Sequence, residues 1–268
     1  MRRAATRRSL PQTNPPSSLG RIAGAVSAYV AAAGRRLPRG WIDLGRQFAI
    51  WFGFLGAYQV ARGAADRSVA EALTNGQWVI DFQRSLNSMV ELDLQKLIER
   101  SRVLEGAASW SYWLSQFTVV VGALLYVYLR HNDSFYRFRN TLLLANTIGL
   151  IGYVAVPTAP PRFFPEAGFS DTLSQYGSLN HGTGLIQLAS NQFAAMPSLH
   201  SADALIVGLV LASVVSHRWA KLAWLAWPLW VWFSVMSTGN HFWLDIAAGA
   251  LVAAIAAAVI YRPWLRRA

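Results

Sequence analysis

Apolar stretches separated by short polar or basic segments set the pattern of this 268-residue chain. A weakly apolar run covers residues 22–34. Six longer runs follow at about 46–62, 107–129, 140–157, 197–216, 220–238 and 242–260. Each of the six approaches the ~20 residues that a helix needs to cross the ~30 Å hydrocarbon core of a bilayer. The pattern therefore predicts an all-α, polytopic membrane bundle with six transmembrane helices.

The N-terminal segment before these runs, residues 1–45, has a different pattern. Its first 20 residues are rich in Arg, Pro and Ser and are predicted to be a disordered cytoplasmic tail. The 22–34 run is too short to span a bilayer, although the basic residues before it resemble a signal peptide. Arg35 and Arg36 close the run where a small-residue cleavage site would be needed, which favours an interfacial helix. Residues 46–268 then form the six-helix membrane domain.

Basic residues predict the orientation of this domain. They concentrate in the N-terminal tail, the 130–139 and 216–221 loops and the C-terminus, which share one side of a six-span bundle. The 158–196 connection holds one Lys or Arg, namely Arg162, and the 237–241 connection holds none. Because cytoplasmic loops carry the excess of Lys and Arg, we expect both termini in the cytoplasm of a cell-membrane protein.

Composition supports a membrane protein. Hydrophobic residues make up 54% of the chain and charged residues 14%, whereas soluble domains carry about a quarter charged residues. The net charge of +11 would fit a nucleic-acid partner. The basic residues lie in tails and short loops, however, so no nucleic-acid partner is expected. The absence of Cys excludes disulfides and thiolate metal sites.

Two outer connections have patterns of their own. Residues 63–106 contain four apolar residues at helical spacing: Val90, Leu94, Leu97 and Ile98. This spacing predicts one amphipathic helix that lies on the membrane or on the bundle. The 158–196 connection is rich in Pro, Gly, Asn and Ser, and loops of this length are often lids or binding loops.

Three short polar motifs lie at the outer ends of the predicted helices. They are PTAPPRF at 157–163, MPSLH at 196–200 and TGNHFWLD at 238–245. The orientation model uses none of these motifs, and yet it places all three at the same face of the membrane. Their side chains are therefore candidates for one shared site.

The residue types in these motifs suit phosphate chemistry. His241 and Asp245 are four residues apart, which places both on one face of a helix. Asp245 can fix the tautomer of His241 and leave the other ring nitrogen as a nucleophile. His200 can act as a general acid for the leaving group. Arg162 offers a planar cation for phosphate oxygens.

The second motif adds backbone donors. Pro197 suits the first turn of a helix. The free backbone N–H groups near Ser198 are then expected to bind an anion. Each residue of the three motifs taken singly fits an ordinary interfacial or capping role, so the prediction of a site depends on their combination.

PSLH followed by H-x-x-x-D resembles the type 2 phosphatidic acid phosphatase superfamily. PTAPPRF, PSLH and HFWLD together resemble its inositol phosphorylceramide synthase-like branch. The resemblance covers roughly residues 107–260, which we take as the catalytic core. It implies that His241 becomes a phosphohistidine, activated by Asp245, while His200 protonates the leaving oxygen.

The resemblance also implies that Arg162 and Ser198 bind the phosphoryl group. Neither a metal nor another cofactor is implied, because protein cations hold the phosphate. Two phosphate-binding cations of the wider family are replaced here by Ala155 and Val235, and Leu199 replaces a Gly. These departures favour diester-type lipid substrates, which carry less negative charge than a terminal monoester.

Four further residues are weaker candidates. Asn240 adjoins His241 and is a candidate phosphate ligand. His181 and Asn191 lie in the long outer loop and are candidate ligands of a headgroup or an acceptor. Asp203 follows His200 by three residues and is a candidate for orienting it, or for contacting the acceptor.

The sequence leaves several functions open. The leading hypothesis is a lipid phosphotransferase or phosphatase, whose partners are a lipid phosphate, membrane lipids and, for transfer, inositol or another alcohol. A simple lipid phosphate phosphatase, acting on phosphatidate or a polyprenyl phosphate, is the alternative within this class. A non-catalytic lipid transporter or scramblase is a second class, and a haem protein with His200 and His241 as axial ligands is a third.

Overall fold

The computed structural model of the chain describes residues 18–65, 69–175 and 192–265, and these residues are almost entirely helical. The α-helices are α1 (Ser18–Gly34), α2 (Gly40–Ala65), α3 (Val69–Ser85), α4 (Val90–Glu99), α5 (Arg102–Leu114), α6 (Val120–Arg130), α7 (Asn132–Ala155), α8 (Leu199–Val214), α9 (Arg218–Ser237) and α10 (Trp243–Leu265). One isolated parallel bridge joins Thr158 to Ala194. The prediction of an all-α protein is confirmed.

Contacts divide the chain into two units, Met1–Ala49 and Ile50–Ala268. In the first unit, α1 covers the predicted interfacial helix at 22–34. The turn after α1 folds back, so that the indole Nε1 of Trp41 donates to the carbonyl oxygen of Val30 at 2.9 Å. Most of the predicted tail, residues 1–17, lies outside the described residues.

Each of the six apolar runs corresponds to a helix. Two helices of the described residues are long and apolar enough to cross a membrane, Arg102–Arg130 and Trp243–Arg262. The first of them is continuous through α5, a π-helical turn at Ser115–Val119, and α6. Helix α8 is apolar but has 16 residues.

The region 63–106 differs from the prediction of one amphipathic helix. Helices α3 and α4 are separated by a turn in which Asn87 has φ of 51°, a conformation that Asn tolerates better than most residues. The buried residues of α4 are Glu91, Gln95 and Ile98. Val90 and Leu97 are exposed instead. Two of the three buried side chains of α4 are therefore polar, which the apolar spacing does not predict.

Helix packing brings the second and third motifs together. Helix α8 packs against α7, α9 and α10. Its first turn is capped by Ser198, whose Oγ accepts from the backbone N–H of Ser201 at 3.3 Å. The backbone N–H of Ser198 donates to the carbonyl oxygen of Asp245 at 3.0 Å. A Cβ on Gly249 would lie 2.1 Å from the Ser198 carbonyl oxygen, so α10 approaches α8 closely because residue 249 is glycine.

Candidate active site

His241 lies just before α10, and its ring is held from one side. Nδ1 is 3.0 Å from the carbonyl oxygen of Ala195 and 3.4 Å from Oδ2 of Asp245. Both partners accept hydrogen bonds, so the proton lies on Nδ1 and the lone pair of the neutral ring lies on Nε2. The structure therefore places His241 and Asp245 as their spacing predicts, and adds the carbonyl of Ala195, which the sequence does not reveal.

Asp245 also shapes the first turn of its helix. Its Oδ2 accepts from the backbone N–H of Phe242 at 2.8 Å, in the manner of a capping box. Its Oδ1 is buried without a hydrogen-bond partner among the described residues. One carboxylate oxygen thus serves both the helix start and the His241 ring.

His200 lies in the first turn of α8, facing His241. The two imidazole centroids are 5.5 Å apart, with the ring planes tilted by 60°. On its other side His200 stacks on the ring of Tyr112, with 4.4 Å between centroids. Nε2 of His200 is buried and has no hydrogen-bond partner in the described part of the chain. A buried, unpaired ring nitrogen beside the His241 ring suits proton transfer at that point.

Arg162 is brought to the third motif by a turn contact. Its backbone N–H donates to the carbonyl oxygen of Gly239 at 2.9 Å, and its Nη1 donates to Oδ1 of Asn240 at 2.6 Å. Gly239 has φ of 72°, and a Cβ there would lie 2.7 Å from the carbonyl oxygen of Ser170. Glycine is therefore required at this turn. The turn brings Arg162 into contact with Asn240, the residue that directly precedes His241.

Burial changes the electrostatics of Arg162 and His241. Arg162 stays a cation that attracts an anion, and His241 is a neutral base. Burial lowers the pKa of the Arg162 guanidinium, which nevertheless stays charged at neutral pH. Burial, and then the charge of Arg162, lower the pKa of His241 to about 3. His241 is thus a neutral imidazole beside a partly desolvated cation, which is the state that a nucleophile toward phosphorus needs.

Ser198 differs from its prediction. Its backbone N–H is bonded to Asp245 and its Oγ caps α8, so neither the free N–H nor an idle hydroxyl exists at this residue. Pro197 precedes the cap instead of occupying the first turn. Ser198 therefore links the second motif to the third, while phosphate binding at Ser198 and by the other backbone N–H groups near it stays a prediction.

Asp203 also differs from its prediction. Its two carboxylate oxygens accept from Nε2 of Gln116 and Nδ2 of Asn146, each at 2.7 Å. Gln116 lies in the π-helical turn and Asn146 lies on α7, and in the described part of the chain the buried Asp203 carboxylate makes no hydrogen bond to the His200 ring. Spacing of three residues brought the two side chains to neighbouring positions on α8, but the amides of other helices hold the carboxylate.

The remaining candidates divide in two. Asn240 is buried, bonded to Arg162, and donates to the Thr238 hydroxyl at 2.9 Å. His181 and Asn191 lie outside the described residues. Within the described ranges there is no group of three or more His, Cys, Asp or Glu that could hold a metal ion.

Sequence reasoning missed several polar residues that surround the third motif. Glu91 is fully buried, and its Oε1 accepts from the backbone N–H of Trp243. Gln95 holds the loop after α7 through Ser170, donating to its carbonyl at 2.8 Å and accepting from its N–H at 3.1 Å. The signal available in the sequence was a Glu and a Gln four residues apart within an otherwise amphipathic segment.

A shallow, open cleft of about 640 Å³ lies next to Phe163, and neither Arg162 nor His241 lines it. Its lining residues come from α3 and the loop after α7: Leu73, Thr74, Gln77, Trp78, Asp81, Phe163, Phe164 and Glu166. The guanidinium carbon of Arg162 lies 5.1 Å from the Phe163 ring centroid. The cleft combines aromatic rings with carboxylate and amide groups.

Sequence comparisons match this chain to one protein family and to two relatives. The profile of the PAP2 superfamily matches residues 77–259. The phosphoinositol dihydroceramide synthase of Bacteroides thetaiotaomicron is 28% identical over 145 residues, which are 49% of this chain and 47% of that protein. The inositol phosphorylceramide synthase of Candida albicans is 28% identical over 121 residues, which are 40% of this chain and 25% of that protein. The chain thus spans less than half the length of each relative.

Among solved structures, the crystal structure of Aquifex aeolicus LpxE matches with a TM-score of 0.47 and 18% sequence identity. That match covers 64% of this chain and 94% of the LpxE chain.

Proposed function

The chain belongs to the PAP2 superfamily, and from this membership we propose that it is a membrane enzyme that transfers or hydrolyses phosphate groups on lipids. The observation that carries the proposal is the position of His241 between Asp245 and His200, with a neutral ring and its lone pair on Nε2. A nucleophile, its orienting carboxylate and a second imidazole are the groups that covalent phosphoryl transfer requires.

In the first step, Nε2 of His241 attacks phosphorus and forms an N–P bond. The bond from phosphorus to the leaving oxygen breaks, and His200 gives that oxygen a proton. His200 gains this proton when the phosphoester binds, because a nearby anion favours the imidazolium. The carboxylate of Asp245 offsets the positive charge that grows on the His241 ring.

In the second step, water or an alcohol attacks the phosphohistidine. His200, now neutral, takes the proton from the attacking hydroxyl, and the N–P bond breaks to restore His241. Arg162 holds the phosphoryl oxygens through both steps, since a guanidinium suits them, and Asn240 orients this guanidinium through its Oδ1. Ala155 and Val235 supply no second cation, so a singly charged diester is the better substrate.

We further propose that the product of the second step is a transfer product. Both relatives named above are synthases of inositol-containing sphingolipids, and the cleft that Phe163 lines offers rings and carboxylates to a polyol headgroup. Hydroxyl groups donate to Asp81 and Glu166, and the apolar face of the ring stacks on Trp78. Phosphatase activity, with water as acceptor, is the alternative outcome of the same chemistry.

The test uses the purified protein in lipid nanodiscs with two labelled probes. One is dioctanoyl phosphatidic acid, followed by phosphate release, and the other is phosphatidylinositol with labelled ceramide, followed by headgroup transfer. His241→Ala is expected to abolish turnover, and His217→Ala, an exposed histidine before α9, is expected to retain it. Turnover that survives in His241→Ala contradicts the mechanism. Lipid movement between leaflets that survives the substitution, without turnover, supports a transporter instead.

The membrane arrangement is part of the proposal. Helices α2, α5–α6, α7, α8, α9 and α10 are the six spans, both termini are cytoplasmic, and the site faces outward across the plasma membrane. The chain has no Cys, so single cysteines report their own location. Cysteine at the exposed positions of Glu166 and Arg218 should react with an impermeant reagent from outside and from inside, respectively. The reverse pattern, or labelling of both from one side, contradicts this topology.

A further inference from the structure

The first turn of α10 is supported from a distant part of the chain. Helix α10 begins at Trp243, two residues after His241 and two before Asp245. The N–H groups of a first helical turn have no partner within their own helix. The N–H of Phe242 is bonded by Asp245, and the N–H of Trp243 is bonded by Glu91 of α4, 152 residues away.

The contact at Glu91 is built on both sides. Nε2 of Gln83, on α3, donates to Oε1 of Glu91 at 2.9 Å and to Oε2 at 3.1 Å. The indole of Trp243 donates from Nε1 to the carbonyl oxygen of Ser88 at 3.0 Å. Gln83 and Glu91 are both 0% exposed, so these bonds are not exchanged for bonds to water. Trp243 is therefore held at two points: its backbone N–H bonds to Glu91 at the start of α4, and its indole bonds to Ser88 in the α3–α4 turn.

Charge adds to this arrangement. A carboxylate at a helix N-terminus interacts favourably with the helix dipole. Three hydrogen bonds from Gln83 and Trp243 converge on the buried carboxylate, which is how a buried charge is stabilised. Among the described residues no hydrogen bond joins Glu91 to His241, Asp245 or Arg162. Its effect on the reaction is therefore exerted through the backbone of residues 241–245 and through its charge, which repels that of Asp245.

We propose that Glu91, held by Gln83, is a positioning residue that fixes the start of α10 and thereby the distance between His241 and its partners. The inference rests on the proposed function, because it assigns Glu91 a part in that reaction. Displacement of a reacting group by about 1 Å costs on the order of 100-fold in rate, so a lost contact at Trp243 is expected to lower kcat without removing any reacting side chain.

Two substitutions separate the hydrogen bond from the charge. Glu91→Leu removes every acceptor at this position. Glu91→Gln keeps an acceptor for the Trp243 N–H, and its amide can donate to Oε1 of Gln83, which is buried without a partner in the described part of the chain. Asp93→Asn, an exposed carboxylate on the same helix, is the matched control for charge.

The first measurement is turnover of the two labelled lipid probes in nanodiscs. Glu91→Leu is expected to lower kcat about 100-fold with KM within about threefold of wild type. Glu91→Gln should recover most of the activity, and Asp93→Asn should match wild type. A purely structural role predicts loss of folded protein with an unchanged kcat for the folded fraction, and this outcome overturns the proposal.

The second measurement does not depend on the substrate. Amide hydrogen exchange of a peptide covering residues 238–247 should be at least about tenfold faster in Glu91→Leu than in wild type, while Glu91→Gln stays close to wild type. Unchanged exchange in Glu91→Leu overturns the positioning role even if no probe is turned over. If wild type is inactive toward every probe but exchange responds as expected, the proposed function fails, while the role of Glu91 in fixing the start of α10 is supported.

Discussion

Two histidines of the site are each followed by an aspartate, and the two pairs behave differently. Asp245 follows His241 by four residues and faces its Nδ1 at 3.4 Å. Asp203 follows His200 by three residues and is held by Gln116 and Asn146, each at 2.7 Å. His241 lies in the turn before α10, whereas His200 lies inside α8. The same residue types therefore form a histidine–carboxylate contact in one pair and a link between packed helices in the other.

The difference shows where along a helix an aspartate comes within reach of a preceding histidine. At a helix start, the backbone turns the preceding histidine back over the first turn, within reach of a carboxylate at the third helical position. Inside a helix, a carboxylate three residues on points toward whichever helices pack against it. For α8 these helices carry amide side chains that pair with Asp203.

The largest expected effect distinguishes the two histidines. His241→Gln is expected to lower turnover at least about 10⁴-fold for every substrate, because the nucleophile is lost. His200→Gln is expected to cost about 10²–10⁴-fold with a lipid alkoxide as leaving group and far less with p-nitrophenyl phosphate, whose leaving group needs no proton. Rates with both types of substrate, with His217→Gln as control, measure the contrast. An equal loss for both leaving groups in His200→Gln contradicts its assignment as the acid.

The next effect distinguishes the two aspartates. Asp245→Asn is expected to lower kcat about 100-fold, since the charge that offsets the His241 imidazolium is lost while the Ala195 carbonyl still orients the ring. Asp203→Asn should stay within about threefold of wild type, because it remains bonded to the amides of Gln116 and Asn146. Steady-state kinetics on the same lipid probe checks both variants. A loss in Asp203→Asn equal to that in Asp245→Asn would falsify the separation of roles.

Asp203, whose substitution by Asn should barely change activity, is expected to contribute to stability, and this effect is smaller. Asp203→Leu leaves two buried amide donors without their acceptor, which costs about 1–3 kcal/mol for each group. Asp203→Asn, in which Oε1 of Gln116 can accept from the new amide, should cost much less. Thermal unfolding in detergent, with the exposed Asp133→Asn as control, gives the comparison. Equal stability of Asp203→Leu and wild type would show that the amide cluster does not stabilise the bundle.

The smallest expected effect concerns pH. The pKa of His241 is lowered from 6.5 to about 3 in the folded protein. Between these two pH values the unfolded chain therefore binds a proton at this residue that the folded protein does not bind. Stability should therefore fall as the pH falls below 6.5, by at most about 1.4 kcal/mol per pH unit from this residue. The difference in unfolding between wild type and His241→Gln at pH 6.5 and 5 isolates the contribution. An identical pH dependence of both proteins contradicts a lowered pKa at His241.

The sequence predicts the parts of this structure that depend on neighbours along the chain. Apolar runs locate α2, α5–α6, α7, α8, α9 and α10, because helix formation and hydropathy are local, but they do not locate α3 and α4. The four-residue spacing predicts the pairing of His241 with Asp245, and motif order predicts family membership, which the profile match at residues 77–259 confirms. The number of spans and the roles of the site residues stay predictions.

The parts that could not be predicted depend on distant contacts. The acceptor for His241 is a backbone carbonyl at residue 195, and a carbonyl has no signature in a sequence. Glu91 reaches Trp243 across 152 residues, so neither position indicates the other. The carboxylate of Asp203 finds amides on two other helices, and the bond from Ser198 to Asp245 uses an N–H that helix patterning treats as free.

The close approach of α10 to α8 at Gly249 has a consequence for genetics. A methyl group at this position would meet a backbone oxygen at 2.1 Å, and a backbone cannot move aside as a flexible side chain can. That oxygen belongs to Ser198, whose N–H holds the carbonyl of Asp245, so Gly249→Ala pushes the motif that carries His200 away from the one that carries His241. Position 249 is thus where a loss-of-function or temperature-sensitive allele should arise in a gene whose catalytic codons are all intact.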